Sequence, residues 1–549
     1  MSMEKKFDYA AIDAFFPMKE YRKGQRESIQ KILEAFESGK KFAMLEAPTG
    51  SGKSAIAFAV AQFFDNSYYL APQKFLQDQL TADFGQGGKH IGLLEPMIDL
   101  KGRNTYPCNY YERMLSDPTS KLTDSQISKY KFLRDEEPGC DVGHCKRKNK
   151  SKLTYCDGFC PYFNRLNEAI NARLCLMNFQ AFLFQTSVVQ RFGPRKLLIL
   201  DECHNIEDAL MNFIEISLSD RDIGRKFEKF ETAAEYKTFF EEIKLSEIIT
   251  NNINVAMAGL NSQEEEKWKQ MLLKYKIFRN SNVDNWIPHF EEKDRASNRR
   301  LSLKPIFVDE FLHDYIFNKA DYILMMSATI LSKKIFCNAL GVDQDDTTSL
   351  RMPSSFHPKA RPIYYRPSGS MSFKNKVNTL PKMVKDIVDV CLFHANEKGI
   401  IHTHSFDVHD AIMNQSPDSL RSRLLSQKDP AFRNNKFALL EKHSESKNSI
   451  ILAPAMHEGL DLKDDLGRFQ IICKVPYPSK GDPQIAARLE LSGEYYNWKT
   501  ATKLIQACGR ICRHNDDYGT TYVMDMDFKR FIEMNEYLIP KWYLEAIIW

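Results

Sequence analysis

The octet Ala47-Pro48-Thr49-Gly50-Ser51-Gly52-Lys53-Ser54 lies between an apolar run, Phe42 to Leu45, and a helix-compatible run, Ala55 to Phe63. Strand, glycine-rich turn and helix in that order make a phosphate-binding loop. Gly50 and Gly52 let backbone N–H groups close on phosphate oxygens, Lys53 reaches the terminal phosphates, the Ser54 hydroxyl suits Mg²⁺, and the helix N-terminus adds positive potential. The general pattern begins with glycine where this chain has Ala47. The tight backbone approach comes from the later glycines, so all eight residues remain candidate nucleotide ligands.

Hydrolysis needs more than a cradle. Downstream, the apolar run Lys196 to Leu200 ends in Asp201-Glu202-Cys203-His204. Asp201 can hold Mg²⁺, and Glu202 can align and deprotonate an attacking water. His204, at the strand mouth, is placed to couple the nucleotide site to neighbouring motifs. A further strand, Tyr322 to Met326, ends in Ser327-Ala328-Thr329, small hydroxyl residues suited to a relay. Ahead of the octet, Tyr21-Arg22-Lys23-Gly24-Gln25 either cups an adenine or simply opens an amphipathic helix on Ile29, Ile32, Leu33 and Phe36. Tyr68 to Ala71 reads as a second strand, with Gln73 and Lys74 at its βα turn.

A chain of 549 residues exceeds one ordinary core and implies roughly two to four domains. Its 27% charged and 43% hydrophobic residues are an ordinary globular balance, with no run able to span a bilayer and no secretory leader, so the expectation is a soluble, intracellular protein without a membrane partner. The net charge of +4 is small, so any nucleic-acid binding must come from local grooves.

From Lys101 to Asn178 the alternation of strands and helices breaks, which marks an insertion. It holds five of the twelve cysteines: Cys108, Cys140, Cys145, Cys156 and Cys160. Reduced thiols so clustered argue for metal before disulfides. Their spacing does not fit paired zinc knuckles, and Cys160-Pro161 suits a four-iron four-sulfur cluster, with zinc as the alternative. Between Cys145 and Cys156 runs Lys146-Arg147-Lys148-Asn149-Lys150-Ser151-Lys152, near Tyr155, Phe159, Tyr162 and Phe163. That is either a surface tracking single strands or a solvated loop. Helical stretches are expected over Asn164 to Ala172 and Leu174 to Phe184. Residues 215–300 read as a mostly helical second insertion.

Beyond about residue 335 a second α/β lobe is expected. A helical stripe on Leu380, Met383, Val384, Ile387, Val388 and Cys391 precedes strands at Gly399 to His402, Ile450 to Ala453 and Phe469 to Ile472. It carries His457-Glu458-Gly459-Leu460-Asp461 and, on an expected helix, Gln506-Ala507-Cys508-Gly509-Arg510-Ile511-Cys512-Arg513. Arg510 and Arg513, three apart, are expected on one helical face, from which they and Gln506 can enter the first lobe's site and stabilise charge on the phosphoryl group.

In order, the APTGSGKS, LAPQK, cysteine-insertion, DECH, SAT, MHEGLD and QACGRICRH segments resemble the motifs of superfamily 2 helicases. Lys101-Gly102-Arg103 leading to Cys108, Cys160-Pro161-Tyr162-Phe163 and the Pro476-Tyr477-Pro478 turn make the chain similar to the XPD/DinG family of iron–sulfur DNA helicases. The resemblance implies two RecA-like parallel-sheet motor lobes, with an iron–sulfur insertion and a helical arch-like insertion in the first. The corresponding ranges are 1–100, 176–214 and 301–335 for the first lobe, 101–175 for the cluster insertion, 215–300 for the arch and 336–549 for the second lobe.

It also implies ATP, Mg²⁺ and a [4Fe-4S] cluster as cofactors, single-stranded and forked DNA as partners, 5′ to 3′ movement, a monomer, a place in DNA repair or replication, and a cytoplasmic or nucleoid-associated site. Lys53, Asp201, Glu202, Gln506, Arg510 and Arg513 carry over as catalytic, and Ala47 to Ser54, Gln25, Gly459 and Asp461 as nucleotide contacts. Ser54 and Asp201 carry over as Mg²⁺ ligands, and Ser327 and Thr329 as couplers. Cys108, Cys140, Cys145 and Cys160 are the first choice for the cluster, with Cys156 as substitute. An RNA-directed or non-unwinding translocase and an iron–sulfur redox sensor remain the alternatives.

Overall fold

The computed structural model describes residues 7–135, 139–141, 160–259, 262–292, 298–354, 356–432, 435–454, 462–512 and 516–549. In chain order its first strands are β1 (Phe42–Glu46), β2 (Ser67–Ala71), β3 (Met97–Leu100), β4 (Leu174–Asn178) and β5 (Arg195–Asp201). Then come β6 (Ile216–Ser219), β7 (Trp286–Glu291), β8 (Arg300–Pro305), β9 (Ala320–Ser327) and β10 (Thr347–Arg351). Seven of these form one parallel sheet in the order β10-β1-β9-β5-β2-β4-β3. The strands β11 (Ile363–Gly369), β12 (Gly399–His402), β13 (Leu424–Ser426), β14 (Ile450–Ala453), β15 (Phe469–Ile472), β16 (Thr520–Asp525) and β17 (Ile547–Ile548) follow. They make a second parallel sheet, ordered β13-β14-β12-β15-β16-β11-β17. These are the two RecA-like lobes. Parallel strands covered on both faces are apolar throughout, which is why β1 and β2, buried at every position, stand out in the sequence.

The structure departs from the sequence reading at three places. Leu174 to Phe184 is not one helical stretch: Leu174–Asn178 is β4, paired with β2 and β3, and only then does a helix begin at Phe179. A fully buried short run has no periodicity to tell strand from helix. The first sheet also runs past residue 335, because β10 pairs along the edge of β1 and the crossover to the second lobe starts only after Arg351. Finally, residues 215–300, mostly helical as read, also carry strands that the sequence did not show. The helices Ala233–Glu242, Leu245–Ala258 and Ser262–Asn280 are joined to the antiparallel sheet β6-β8-β7. Pairing of β6 with β8 brings the two ends of the insertion together, and rings of Phe240, Tyr275, Phe278 and Trp286 pack its interior. Among the described residues no helix is long and apolar enough to cross a membrane.

The helices Pro483–Leu491 and Gly493–Cys508 belong to the second half of the chain, yet both lie against the first lobe. Trp498 Nε1 donates to the Ile330 carbonyl at 2.8 Å. Arg488 and Glu207, 2% and 3% exposed, form an ion pair across the lobes. The Arg488 guanidinium also lies 4.1 Å from the Tyr495 ring centroid and 4.8 Å from that of Phe307. Lys499 Nζ approaches Glu207 at 3.6 Å and Asp208 at 3.1 Å. Burial first, and then Glu207, drive the Tyr495 hydroxyl well above its ordinary pKa, so it stays protonated and donates to Glu207.

Removing one member of a buried ion pair costs more than the pair is worth, because the other charge stays buried. Glu207→Ala is therefore expected to lower stability by about 3–5 kcal/mol, seen as an earlier denaturant midpoint, with Glu207→Gln losing less. An unchanged midpoint would mean that this cluster does not hold the lobes.

Candidate nucleotide site between the lobes

In the first sheet β9 lies between β1 and β5, with Glu46 opposite Ser327 and Asp201 opposite Met326. The octet, the Ser327–Thr329 segment and the Asp201–His204 segment therefore leave the sheet at one edge, the carboxyl edge where parallel sheets hold ligands. Gly50 and Gly52 have φ of +78° and +79°, the left-handed region open to glycine. At Gly52 a side chain would also collide, since a Cβ would lie 2.3 Å from Gln25 Nε2. Gln25 braces the loop: Nε2 donates to Ser51 O at 2.9 Å, and Oε1 accepts from Arg22 N at 2.7 Å. Both ends of its amide are thus taken by backbone. The Arg22 guanidinium donates to Gly50 O.

Lys53, at the start of the helix Lys53–Ala61, donates to Ala47 O at 3.3 Å and stands 3.6 Å from Glu202 Oε1. Glu202 itself has φ of +47°, a strained setting for a residue with a side chain and one that tends to occur at functional sites. Asp201 is 2% exposed. Tyr69 donates to its Oδ2 at 2.9 Å and Glu202 N to its Oδ1 at 3.0 Å. Burial, then the charge of Glu202, pushes the Asp201 carboxyl up to about 6 against the pull of Lys53. Two adjacent carboxylates facing one lysine leave negative charge that a divalent cation offsets, so this donor set fits Mg²⁺.

The second lobe reaches this site through the helix Gly493–Cys508. Gln506, 5% exposed, places Nε2 2.6 Å from His204 Nε2 and 3.0 Å from Thr329 Oγ1. His204 Nδ1 is 2.8 Å from Ser327 Oγ, and that hydroxyl accepts from Thr329 N at 3.0 Å. An amide N–H donating to Nε2 assigns the proton of a neutral ring to Nδ1, which then donates to Ser327. One buried chain of polar groups so joins both lobes.

The arginines do not follow the expected geometry. The helix ends at Cys508, where Gly509 N donates back to Ile505 O and Gln506 O, and Arg510 lies beyond that cap with its Nε donating to Gln506 O at 3.0 Å. Glycine closing a helix removes the shared face that a three-residue spacing presupposes. Gly509 backs onto the phosphate loop, where a Cβ would lie 3.2 Å from Thr49 Oγ1. Arg513, Gly459 and Asp461 lie outside the described residues, as do Cys145, Cys156 and the basic run Lys146 to Lys152.

Three of the cysteines come together. Cys140 Sγ is 3.9 Å from Cys160 Sγ, and all of Cys108, Cys140 and Cys160 are buried. A hydrogen bond from Cys140 holds the Cys108 thiol down to about 7, and the same bond, with one to Cys160, pushes Cys140 up. Among the described residues no group of three or more His, Cys, Asp or Glu side chains has the geometry to hold a metal ion. Arg103 closes this corner, donating from Nη2 to Cys140 O at 2.7 Å and pairing with Glu266 of the helical insertion at 2.9 Å.

Two features escaped the sequence. Tyr69 is the middle residue of β2, as buried as Tyr68, and only its hydrogen bond to Asp201 distinguishes it from Tyr68, whose hydroxyl donates to Gly193 O. Glu207 and Arg488 are far apart in the chain, with no local pattern to pair them.

The helicase C-terminal domain family matches residues 387–545, in the second lobe, and the family described as type III restriction enzyme, res subunit, matches residues 18–234, in the first. The chain is similar to the ATP-dependent DNA helicase YoaA of Haemophilus influenzae, 20% identical with 92% of this chain and 91% of that protein covered. A stretch covering 13% of this chain and 7% of its counterpart is 33% identical to the regulator of telomere elongation helicase 1 of Homo sapiens. An XPD helicase structure superposes with a TM-score of 0.61 at 15% identity over 95% of this chain and 99% of that one. Xpd4 of S. tokodaii does so with 0.54 at 13% over 96% and 99%. Two parallel-sheet lobes meeting over one phosphate loop, a family match in each lobe and a likeness to YoaA and to the XPD fold along most of the chain support reading it as an XPD/DinG-like superfamily 2 helicase.

Proposed function

We propose that this ATP-dependent DNA helicase moves 5′ to 3′ along a single strand as a monomer, opens forked duplexes, and uses Mg²⁺ with a metal centre in its cysteine insertion. The observation that carries the reading is the Gln506 amide, held against His204 and Thr329 beside the carboxylate pair. A side chain of one lobe bonded to two motifs of the other gives hydrolysis a route into relative movement of the lobes. Lys53 binds the terminal phosphates, Glu202 orients and deprotonates the attacking water, and by resemblance to the family Arg510 and Arg513 of the second lobe stabilise the developing charge. By the same resemblance Gly459 and Asp461 are the second lobe's nucleotide contacts. Ser54 and Asp201 would hold Mg²⁺, which would neutralise charge on the phosphates. DNA is gripped through its backbone, so binding is sequence-tolerant and weakens with salt.

By resemblance Cys108, Cys140 and Cys160 would supply three thiolates to such a centre, and Cys145 or Cys156 the fourth. A [4Fe-4S] cluster is the first reading, by resemblance. Zinc held by the same thiols is the second. Metal analysis of anaerobically purified protein separates them: iron with sulfide is expected, and zinc in stoichiometric amount without iron would overturn the cluster.

Forked substrates with one or the other tail removed test the main proposal. Unwinding is expected only when the 5′ tail remains, and Lys53→Ala should cut ATP turnover by at least about 100-fold while DNA affinity changes little. Unwinding from a 3′ tail alone reverses the polarity. ATP turnover without displacement on DNA, but with it on RNA, transfers the activity to the other nucleic acid.

A further inference from the structure

Glu46 is the last residue of β1, immediately before the phosphate loop, and in the first sheet it stands between Ser327 on β9 and Arg351 on β10. It is buried, and both of its carboxylate oxygens are in use. Oε2 accepts from Arg351 Nε at 2.8 Å and pairs with Nη2 at 2.7 Å, while Oε1 accepts from Leu331 N at 3.1 Å. Arg351 Nη2 also donates to Leu331 O at 3.0 Å. One carboxylate and one guanidinium thus hold the N–H and the C=O of the same residue.

That residue is strained. Leu331 has φ of +60°, a left-handed setting unfavourable for a leucine. Ser332 N donates to Ile330 O at 2.7 Å, which closes a three-residue turn around Leu331, a rare type when φ is positive. Such strain persists only where the surroundings impose it, and it gathers at working parts of a protein. The turn follows Thr329 directly and offers two groups to the second lobe. The Thr329 hydroxyl meets the Gln506 amide at 3.0 Å, and the Ile330 carbonyl accepts from Trp498 Nε1 at 2.8 Å. The strand that carries the phosphate loop therefore imposes the shape of the turn, and the second lobe docks on it. Arg351 is also where the crossover to that lobe begins, and the next residue, Met352, donates from N to Glu46 O at 2.8 Å.

We propose that Arg351 is a positioning residue of the motor: with Glu46 it holds the Ile330–Ser332 turn in the strained form that presents Thr329 and Ile330 to Gln506 and Trp498. Displacement at the start of the phosphate loop then reaches the second lobe's docking groups through this turn. Arg351 acts on the yield of movement per ATP and not on the chemistry of hydrolysis. The proposal rests on the reading of the two lobes as a motor that opens duplex DNA.

The number of base pairs opened per ATP hydrolysed on a forked DNA tests this, with DNA-free ATP turnover and KM for ATP measured alongside. Misfolded protein lowers unwinding and turnover together and leaves their ratio unchanged, so a purely structural role does not move this readout. Arg351→Met is expected to lower the ratio by about tenfold, with DNA-free turnover and KM within about twofold of the parent. Arg351→Lys, which keeps a charge beside Glu46, should recover part of the loss. Leu331→Gly and Leu331→Ala both remove the buried side chain, but only glycine takes left-handed backbone freely. Arg351→Met should therefore have little further effect when added to Leu331→Gly and its full effect when added to Leu331→Ala. An unchanged ratio in Arg351→Met, or an equal effect in the two backgrounds, would overturn the proposal. If Arg351→Met fails to fold, Trp498→Phe, which removes the indole donor to Ile330, is read in the same way: a lowered ratio is expected, and an unchanged one overturns the proposal. A parent protein that hydrolyses ATP and opens no duplex would instead bring down the motor reading, a result distinct from normal unwinding with unaffected variants.

Discussion

The contact on which the rest of the site depends is the amide of Gln506 against the ring of His204 and the hydroxyl of Thr329. A buried polar group without a partner is costly, so each member of the chain from Gln506 through His204 to Ser327 needs the next. The carboxylates stand on the same turn: Asp201 ends β5, and the left-handed backbone at Glu202 lets its carboxylate face Lys53 while His204, two residues on, faces Ser327. Separation of the lobes cannot leave this network as it is. It must either rehydrate or find other partners.

The ion-pair cluster of Glu207, Arg488 and Lys499 sets a limit on that movement. Glu207 lies in the first turn of the helix that follows the Asp201–His204 segment, and Arg488 lies on a helix from the second half of the chain. A charge pair so deeply buried tolerates little separation, so the region around it is suited to act as the pivot, with opening concentrated towards the phosphate loop.

Legibility in the sequence followed distance along the chain. The octet, the Asp201-Glu202 pair and the Ser327–Thr329 segment each consist of a buried strand and its first turn, and a buried strand announces itself as an apolar run. β4 was hidden by the same property, since four buried apolar residues fit a helix equally well. β10, Thr-Thr-Ser-Leu-Arg, lies on an edge with alternating burial and carries too little apolar character to declare its sheet. The placement of Arg510 could not be read from its spacing to Arg513, because the glycine between Cys508 and Arg510 closes the helix. Tyr69 and Glu207 act through partners more than a hundred residues away, contacts that only the folded chain defines.

The account turns on whether Gln506 works through His204. A double-mutant cycle on DNA-stimulated ATP turnover, with Gln506→Ala, His204→Ala and the double variant, measures this most directly. If the two side chains form one link, the double variant loses little more than the worse single one. Losses that multiply, each variant acting as though the other residue were intact, would show that the lobes communicate by another route.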